Sequence, residues 1–257
     1  MFAPEALRAL LFSLAAGLST LLGALVVVFT KKKSEKLVTV SLGFAGGVMV
    51  SVSFWDMLPE AVHALGNEKT GTLLAVAFLI VGVLLAAGLD RLVPHKEEPA
   101  AGERGTGSRS HLFRMGFVSM LAIGLHNFPE GIATFMAGFE NAALGISIAV
   151  AIAMHNIPEG ISVAMPIYFA TGDRKKALKY AFLSGISEPI GALLAFLVLQ
   201  PIITDFLMGA VFAVLAGIML YIAIEELIPS SRQYGHDRHA LIATFSGMIV
   251  MMVTHIL

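Results

Sequence analysis

The chain has 257 residues, of which 57% are hydrophobic and 14% are charged, with a net charge of −1 and a mean hydropathy of +0.83. A soluble domain would be about a quarter charged, so the composition indicates a membrane protein and the near-neutral charge argues against a nucleic-acid partner. There are no cysteines, which excludes disulfides, thiolate metal sites and cysteine catalysis.

Eight apolar segments are long enough to cross about 30 Å of hydrocarbon as helices. Span 1 has no charge from Ala9 to Thr30 and no small-residue cleavage site after it, so we interpret it as a retained helix and not a signal peptide. Strand-like alternation of polarity is missing from the sequence, which disfavours an outer-membrane barrel. The predicted fold class is an all-α integral membrane protein with approximate spans 6–29, 37–58, 71–91, 112–138, 142–169, 177–200, 203–228 and 239–257.

Basic residues alternate between the connections. All of the 17 Lys and Arg residues except Arg8 and Lys69 belong to the loops after spans 1, 3, 5 and 7. The positive-inside rule therefore predicts that these loops are cytoplasmic and that both termini lie outside. The longest loop, at about 92–111, is rich in Gly, Pro, Ser and mixed charge and is predicted to be a flexible cytoplasmic linker within one transmembrane domain, 1–257.

The most informative feature is a doubled motif, HNFPEG at 126–131 and HNIPEG at 155–160, with one copy in span 4 and the other in span 5. An ionisable side chain at the bilayer centre costs about 3 kcal/mol on insertion scales, so two copies require a compensating charge. On a helix that turns about 100° per residue, His126 and Glu130 share a face, and the glutamate lies angularly between His126 and Asn127. One carboxylate can then serve two neighbouring cations. The second copy repeats the pattern with His155, Asn156 and Glu159.

Both copies are predicted to lie at the same depth. The turn between spans 4 and 5 is expected near 140–141, about 14 residues from each histidine, which places both histidines roughly 21 Å from it. The two motifs are then related by an approximate two-fold axis in the membrane plane, which is typical of transporters. Pro129 and Pro158 are each predicted to kink the helix and to release one carbonyl oxygen, which is tolerated at this depth only if it is buried or lines a cavity. Ordinary kinked helices are the alternative, but they leave the His/Glu pairs unexplained.

A third acidic residue, Glu188, is central in span 6 and is followed by Pro189. It is either a protonated carboxyl with a structural hydrogen bond or a third acidic ligand of a metal site. Imidazole with carboxylate and amide oxygen suits Zn²⁺, Fe²⁺, Mn²⁺ or Co²⁺, and the lack of cysteine weakens the case for Cu(I). Three carboxylates facing two divalent ions leave about one positive charge, so a paired site is electrostatically reasonable.

The two HNxPEG motifs, the Glu188–Pro189 pair and the eight-span layout resemble the ZIP (Zrt-, Irt-like protein) metal transporter family, in particular its bacterial zinc-uptake (ZupT-like) branch, over nearly the whole chain. The resemblance implies a homodimer in the cell inner membrane that takes up zinc, with iron, manganese, cobalt and cadmium as further candidate substrates. It implies that spans 1, 4, 5 and 6 slide against spans 2, 3, 7 and 8. It also implies two metal positions: one formed by His126, Glu130, His155 and Glu159, the other by Asn127, Asn156 and Glu188 with the shared glutamates.

Two other functional classes stay open. An intramembrane di-metal enzyme is one, although HExxH, nucleophile and cofactor motifs are missing from the sequence, so that neither an enzyme nor a cofactor is expected. A passive divalent-metal channel is the other. Asp56, Glu60 and His63 either attract cations at the outer end of span 2 or mark the headgroup boundary. Glu225 and Glu226, near the inner end of span 7, have an exit role or are an interfacial pair.

Overall fold

The computed structural model describes residues 4–29, 34–92, 109–199 and 204–254. These residues form eight helices. The predicted linker falls largely on 93–108, outside the described residues, so it stays a prediction. The helices are α1 (Pro4–Phe29), α2 (Glu35–Leu65), α3 (Glu68–Leu92), α4 (Arg109–Glu140), α5 (Ala142–Thr171), α6 (174–199), α7 (Asp205–Ser231) and α8 (Asp237–Thr254).

The predicted all-α membrane architecture is confirmed. Six of the eight helices, α1, α2, α3, α5, α6 and α7, are long and apolar enough to cross a membrane. The other two are less apolar, because α4 contains the polar motif residues within its 32 residues and α8 begins with Asp237 and Arg238. Several helices extend beyond the predicted apolar cores; α2, for example, continues to Leu65 and not only to about 58. A helix satisfies its own backbone hydrogen bonds, so it can continue into the polar interface.

The sequence explains where α4 and α5 meet. Asn141 is the one non-helical residue between them, and its side chain accepts hydrogen bonds from the backbone N–H groups of Ala143 (2.8 Å) and Leu144 (3.3 Å), which caps α5. At the other end, Gly172 adopts a left-handed conformation (φ 75°) that ends α5. Because the turn is so short, α4 and α5 are antiparallel neighbours, and the predicted turn near 140–141 is confirmed.

Wider, π-helical turns interrupt three of the helices. In α2 the wide turn covers Ser53–Met57, and in α7 it covers Ile222–Leu227. Each is followed by a proline, Pro59 or Pro229. A proline ring crowds the carbonyl four residues earlier and donates no hydrogen bond, and a wider turn accommodates it. The remaining wide turn is in α6, which is also broken at Ile186, directly before the segment with Glu188.

Close helix contacts divide the protein into two groups. At many glycines a Cβ atom would overlap the backbone of a neighbouring helix, so the two backbones meet without an intervening side chain. Among the glycines that the structure describes, every such contact stays inside α1/α4/α5/α6 or inside α2/α3/α7/α8. We call these the first and second bundles. Examples are Gly17 with Gly185, Gly131 with Glu188 and Gly160 with Thr20 in the first bundle, and Gly47 with Thr244 and Gly82 with Val214 in the second.

Candidate metal centre

The two copies of the motif meet in the interior of the first bundle. Oε1 of Glu130 lies 3.0 Å from Nε2 of His126, one turn earlier on α4, and 2.9 Å from Nε2 of His155 on α5. One carboxylate oxygen therefore joins the imidazoles of both helices. A ligand atom from each of these three buried residues lies within 4.8 Å of the others, which is close enough for all three to hold one metal ion. They are the only such group in the described part of the chain.

Glu159, the glutamate of the second copy, completes the cluster at a longer distance. Its Oε1 lies 3.7 Å from Nε2 of His126, and its side chain is about 1% exposed. The imidazole rings of His126 and His155 are 6.2 Å apart between centroids. The two glutamates therefore differ in their contacts. Glu130 lies close to both histidines, whereas Glu159 approaches only His126, at a longer distance.

The two asparagines and Glu188 form a second polar group next to the first. Nδ2 of Asn156 donates to Oε2 of Glu188 (2.9 Å) and to the carbonyl of Ala16 on α1 (3.1 Å). Nδ2 of Asn127 lies 3.5 Å from the carbonyl of Ser184 and so contacts the α6 backbone beside Glu188. Both asparagines and Glu188 are fully buried. The structure therefore brings Asn156 and Glu188 into direct contact, and it brings Asn127 to the same turn of α6.

Many oxygen atoms of this site accept no hydrogen bond from the residues that the structure describes. They belong to the glutamates and asparagines of the two motifs and to Glu188. The atoms are Oε2 of Glu130, both Oε atoms of Glu159, Oε1 of Glu188, and Oδ1 of Asn127 and of Asn156. Buried polar atoms are nearly always hydrogen-bonded, because leaving one unpaired costs about 1–3 kcal/mol. Their residues form no ion pair with a described Lys or Arg. Negative charge and unpaired oxygens together fit a cation.

A cavity of about 630 Å³ connects this site to the end of α2. Its polar lining consists of Glu130 and His155 of the site and Asp56, Glu60 and His63 of α2, and most of its other lining side chains are apolar. The sequence left these α2 residues as either a cation entrance or a headgroup boundary. They share this cavity with the buried Glu130 and His155.

An ion pair lies between the bundles. NH2 of Arg114, on α4, lies 2.8 Å from Oε1 of Glu226, which is in the wide turn of α7. Both side chains are almost fully buried. The predicted topology places this pair at the cytoplasmic ends of α4 and α7. Glu226 thus has a specific partner, and the exposed neighbour Glu225 does not share its position.

Sequence reasoning missed the contribution of α1. The Ala16 carbonyl contacts Asn156, and a Cβ at Gly17 would lie 3.2 Å from Cβ of Glu188. The sequence pattern that could have indicated this contribution is a row of small residues at helical spacing along the buried face of α1: Ala6, Ala9, Ser13, Ala16, Gly17, Thr20 and Ala24. Small residues allow close approach of helices, but they do not by themselves indicate which helix approaches.

An all-α membrane fold in which buried imidazole and carboxylate side chains of two antiparallel helices meet defines a class of protein, the multi-pass transporters with a cation site inside the membrane. Comparison with known proteins specifies the family. A family model described as ZIP Zinc transporter matches residues 6–112 and 94–255. The chain belongs to this family.

Proteins named Zinc transporter ZupT from several bacteria are similar over nearly their whole length. The chain is 46% identical over 255 residues to that of Chlorobaculum parvum, with 95% of each chain covered. It is 44% identical over 248 residues to that of Streptococcus mutans, with 94% of each covered. For the protein of Clostridium perfringens the identity is 42% over 273 residues, which covers 98% of this chain and 96% of the relative.

Proposed function

We propose that this protein carries zinc across the cell inner membrane into the cytoplasm, through a site for two divalent cations inside the first bundle. Iron, manganese, cobalt and cadmium are further candidate substrates, since the ligands are nitrogen and oxygen atoms only. In this proposal the chain is one transmembrane domain, with a flexible cytoplasmic linker at about 92–111, and functions as a homodimer. The relatives' name, Zinc transporter ZupT, supports zinc as the main substrate.

The observation that carries the proposal is the position of Glu130 between His126 and His155. Two neutral imidazoles and a carboxylate are a common ligand set for zinc, and Glu159 adds a second carboxylate. These four residues are our first cation position. The glutamates would be shared with the second position, which consists of Asn127, Asn156 and Glu188. Zinc that reaches the first position would exchange its water ligands for these side chains.

The route to the site supports uptake. The cavity lined by Asp56, Glu60 and His63 reaches the first position, and its acidic side chains attract cations. At the opposite end, Arg114 and Glu226 join the bundles. Together these features correspond to a site that is open towards the outside and closed towards the cytoplasm.

The separation of the glycine contacts into two bundles supports movement of the first bundle against the second. Backbones in direct contact within each bundle resist separation, whereas the surface between the bundles has no such contact among the described glycines. A carrier would use this surface for the change between outward-facing and inward-facing states. A passive channel needs no such change, and saturable uptake with slow turnover would separate the carrier from it.

The test is zinc flux into liposomes that contain the purified protein and a trapped fluorescent zinc indicator. Glu130→Gln and Glu159→Gln keep the side-chain shape but remove the negative charge. Partners of metal ligands typically contribute 10- to 100-fold in metal affinity, so loss of a ligand charge should reduce flux at low zinc at least that much. The matched control is Glu68→Gln, at the exposed start of α3.

The outcomes separate the alternatives. Flux in the wild type and in Glu68→Gln, with little flux in both site variants, supports the proposal. Wild-type flux in Glu130→Gln and Glu159→Gln would reject the site. Zinc binding without any flux, together with turnover of a lipid or peptide, would favour the enzyme hypothesis instead.

A further inference from the structure

The α6 turn before and at Glu188 is contacted by three helices. Asn127 of α4 contacts the Ser184 carbonyl, and Asn156 of α5 donates to Glu188. The third contact is from α1, where Oγ1 of Thr20 lies 3.2 Å from a Cβ placed on Gly185. The second cation position therefore has a wall that neither the doubled motif nor Glu188 provides.

The hydroxyl of Thr20 has no hydrogen-bond partner among the described residues, although the side chain is fully buried. A threonine in a helix commonly donates to the carbonyl four residues earlier. Here that carbonyl belongs to Ala16, which instead accepts hydrogen bonds from Nδ2 of Asn156 (3.1 Å) and Oγ of Ser19 (2.6 Å). Helical side chains lean towards the N-terminus, so Thr20 covers the same turn of α1 that exposes the Ala16 carbonyl.

The amide group of Asn156 is located between two oxygen atoms. Its Nδ2 donates both to the Ala16 carbonyl and to Oε2 of Glu188, while its own Oδ1 accepts no hydrogen bond from the described residues. A cation would attract the same two oxygens that this N–H group now contacts. Rotation of the amide would bring Oδ1 towards the cation and leave carbonyl, carboxylate and amide oxygens around it.

We propose that α1 is part of the substrate site: the Thr20 hydroxyl and the Ala16 carbonyl provide oxygen ligands to a divalent cation at the second position. This inference rests on the proposed function. It makes the two positions chemically different, because the first has two imidazoles and the second has oxygen from carbonyl, hydroxyl, amide and carboxylate groups. Imidazole favours Zn²⁺, whereas oxygen ligands favour harder ions such as Mn²⁺, so Thr20 would determine how well manganese is accepted.

The experiment compares Mn²⁺ and Zn²⁺ as probe metals for the full-length protein. Thr20→Val keeps the shape of the side chain and removes the hydroxyl, Thr20→Ser keeps the hydroxyl, and Thr20→Ala is a second variant without it. The matched control is Thr39→Val on α2, because the Thr39 hydroxyl is also fully buried and lacks a hydrogen-bond partner within the described residues, but Thr39 lies in the second bundle. Binding is measured by titration calorimetry in detergent, and flux is measured in liposomes.

We expect Thr20→Val and Thr20→Ala to weaken Mn²⁺ binding about tenfold or more, with a smaller effect on Zn²⁺. Thr20→Ser and Thr39→Val should bind both metals like the wild type. The inference is overturned if both Thr20 variants without the hydroxyl bind Mn²⁺ normally. It is also overturned if Thr39→Val loses as much Mn²⁺ affinity as they do. If Thr20→Val binds and transports both metals normally while Glu130→Gln is inactive, only this inference is rejected. If the wild type transports neither metal, the proposed function is rejected as well.

Discussion

Oε1 of Glu130 lies 2.9 Å from Nε2 of His155, although the two residues are on different helices and 25 positions apart. The same oxygen contacts His126 at 3.0 Å, so one atom of α4 holds an imidazole of each helix. This contact connects the two copies of one motif in the interior of the first bundle.

Zinc should stabilise the protein against unfolding. A ligand that binds only the folded state adds about 2.7 kcal/mol at 100 times its Kd, because unfolding must release it. The unfolding temperature of detergent-purified protein is measured with zinc and with a chelator, using the fluorescence of the single tryptophan, Trp55. Zinc should raise this temperature in the wild type and in Glu68→Gln but not in Glu130→Gln. An equal shift in all three proteins would contradict a zinc site at Glu130.

Acidification should weaken zinc binding. The metal binds neutral imidazole and ionised carboxylate, so protons compete for His126, His155 and the glutamates, and each zinc bound releases protons. When pH falls from about 7.5 to about 5.5, the apparent Kd should rise by up to about tenfold per pH unit for each proton released. Calorimetry in buffers of different ionisation enthalpy measures both the affinity and the number of protons. An affinity independent of pH over this range would contradict competition between protons and zinc at these side chains.

The Arg114–Glu226 ion pair should be important for stability. Both side chains are almost fully buried, and removal of one partner of a buried ion pair typically costs about 3–5 kcal/mol. Arg114→Met and Glu226→Leu should each lower the free energy of unfolding, and the double variant should lose less than the sum of the two. Chemical denaturation of all four proteins measures this coupling. Strictly additive losses would show that the two side chains do not stabilise each other.

Gly160 should not tolerate a larger residue. It follows Glu159 directly, and a Cβ at this position would overlap the Thr20 carbonyl of α1. Gly160→Ala should therefore destabilise the protein by about 1–3 kcal/mol, and zinc affinity should fall because α1 and α5 are pushed apart at the site. The matched control is Gly88→Ala on α3, where a Cβ would have no neighbour within 4 Å. Alanine is the better helix former, so this control should be neutral or more stable by up to about 1 kcal/mol. Equal behaviour of the two variants would contradict the close α1–α5 contact.

Local sequence patterns were enough to predict the helices and to predict that the two motifs lie at equal distances from the turn between α4 and α5. Apolar length and helical periodicity are local properties, and they suffice to predict that His126 and Glu130 share a face and that the turn falls near 140–141. The doubled motif in spans 4 and 5 also predicted that imidazoles and carboxylates would lie close together, and the structure brings them together.

Which partners these side chains contact depends on how the helices pack in three dimensions. The contact of Asn156 with the Ala16 carbonyl joins residues 140 positions apart, and that of Arg114 with Glu226 joins residues 112 apart. Such contacts depend on how each helix is rotated and which neighbour it approaches. In a lipid bilayer most faces of a membrane helix are similarly apolar. Close packing at small residues such as Gly17 therefore determines which helix lies against which face. Packing of this kind involves several helices at once, so it cannot be predicted from the residue pattern of one helix.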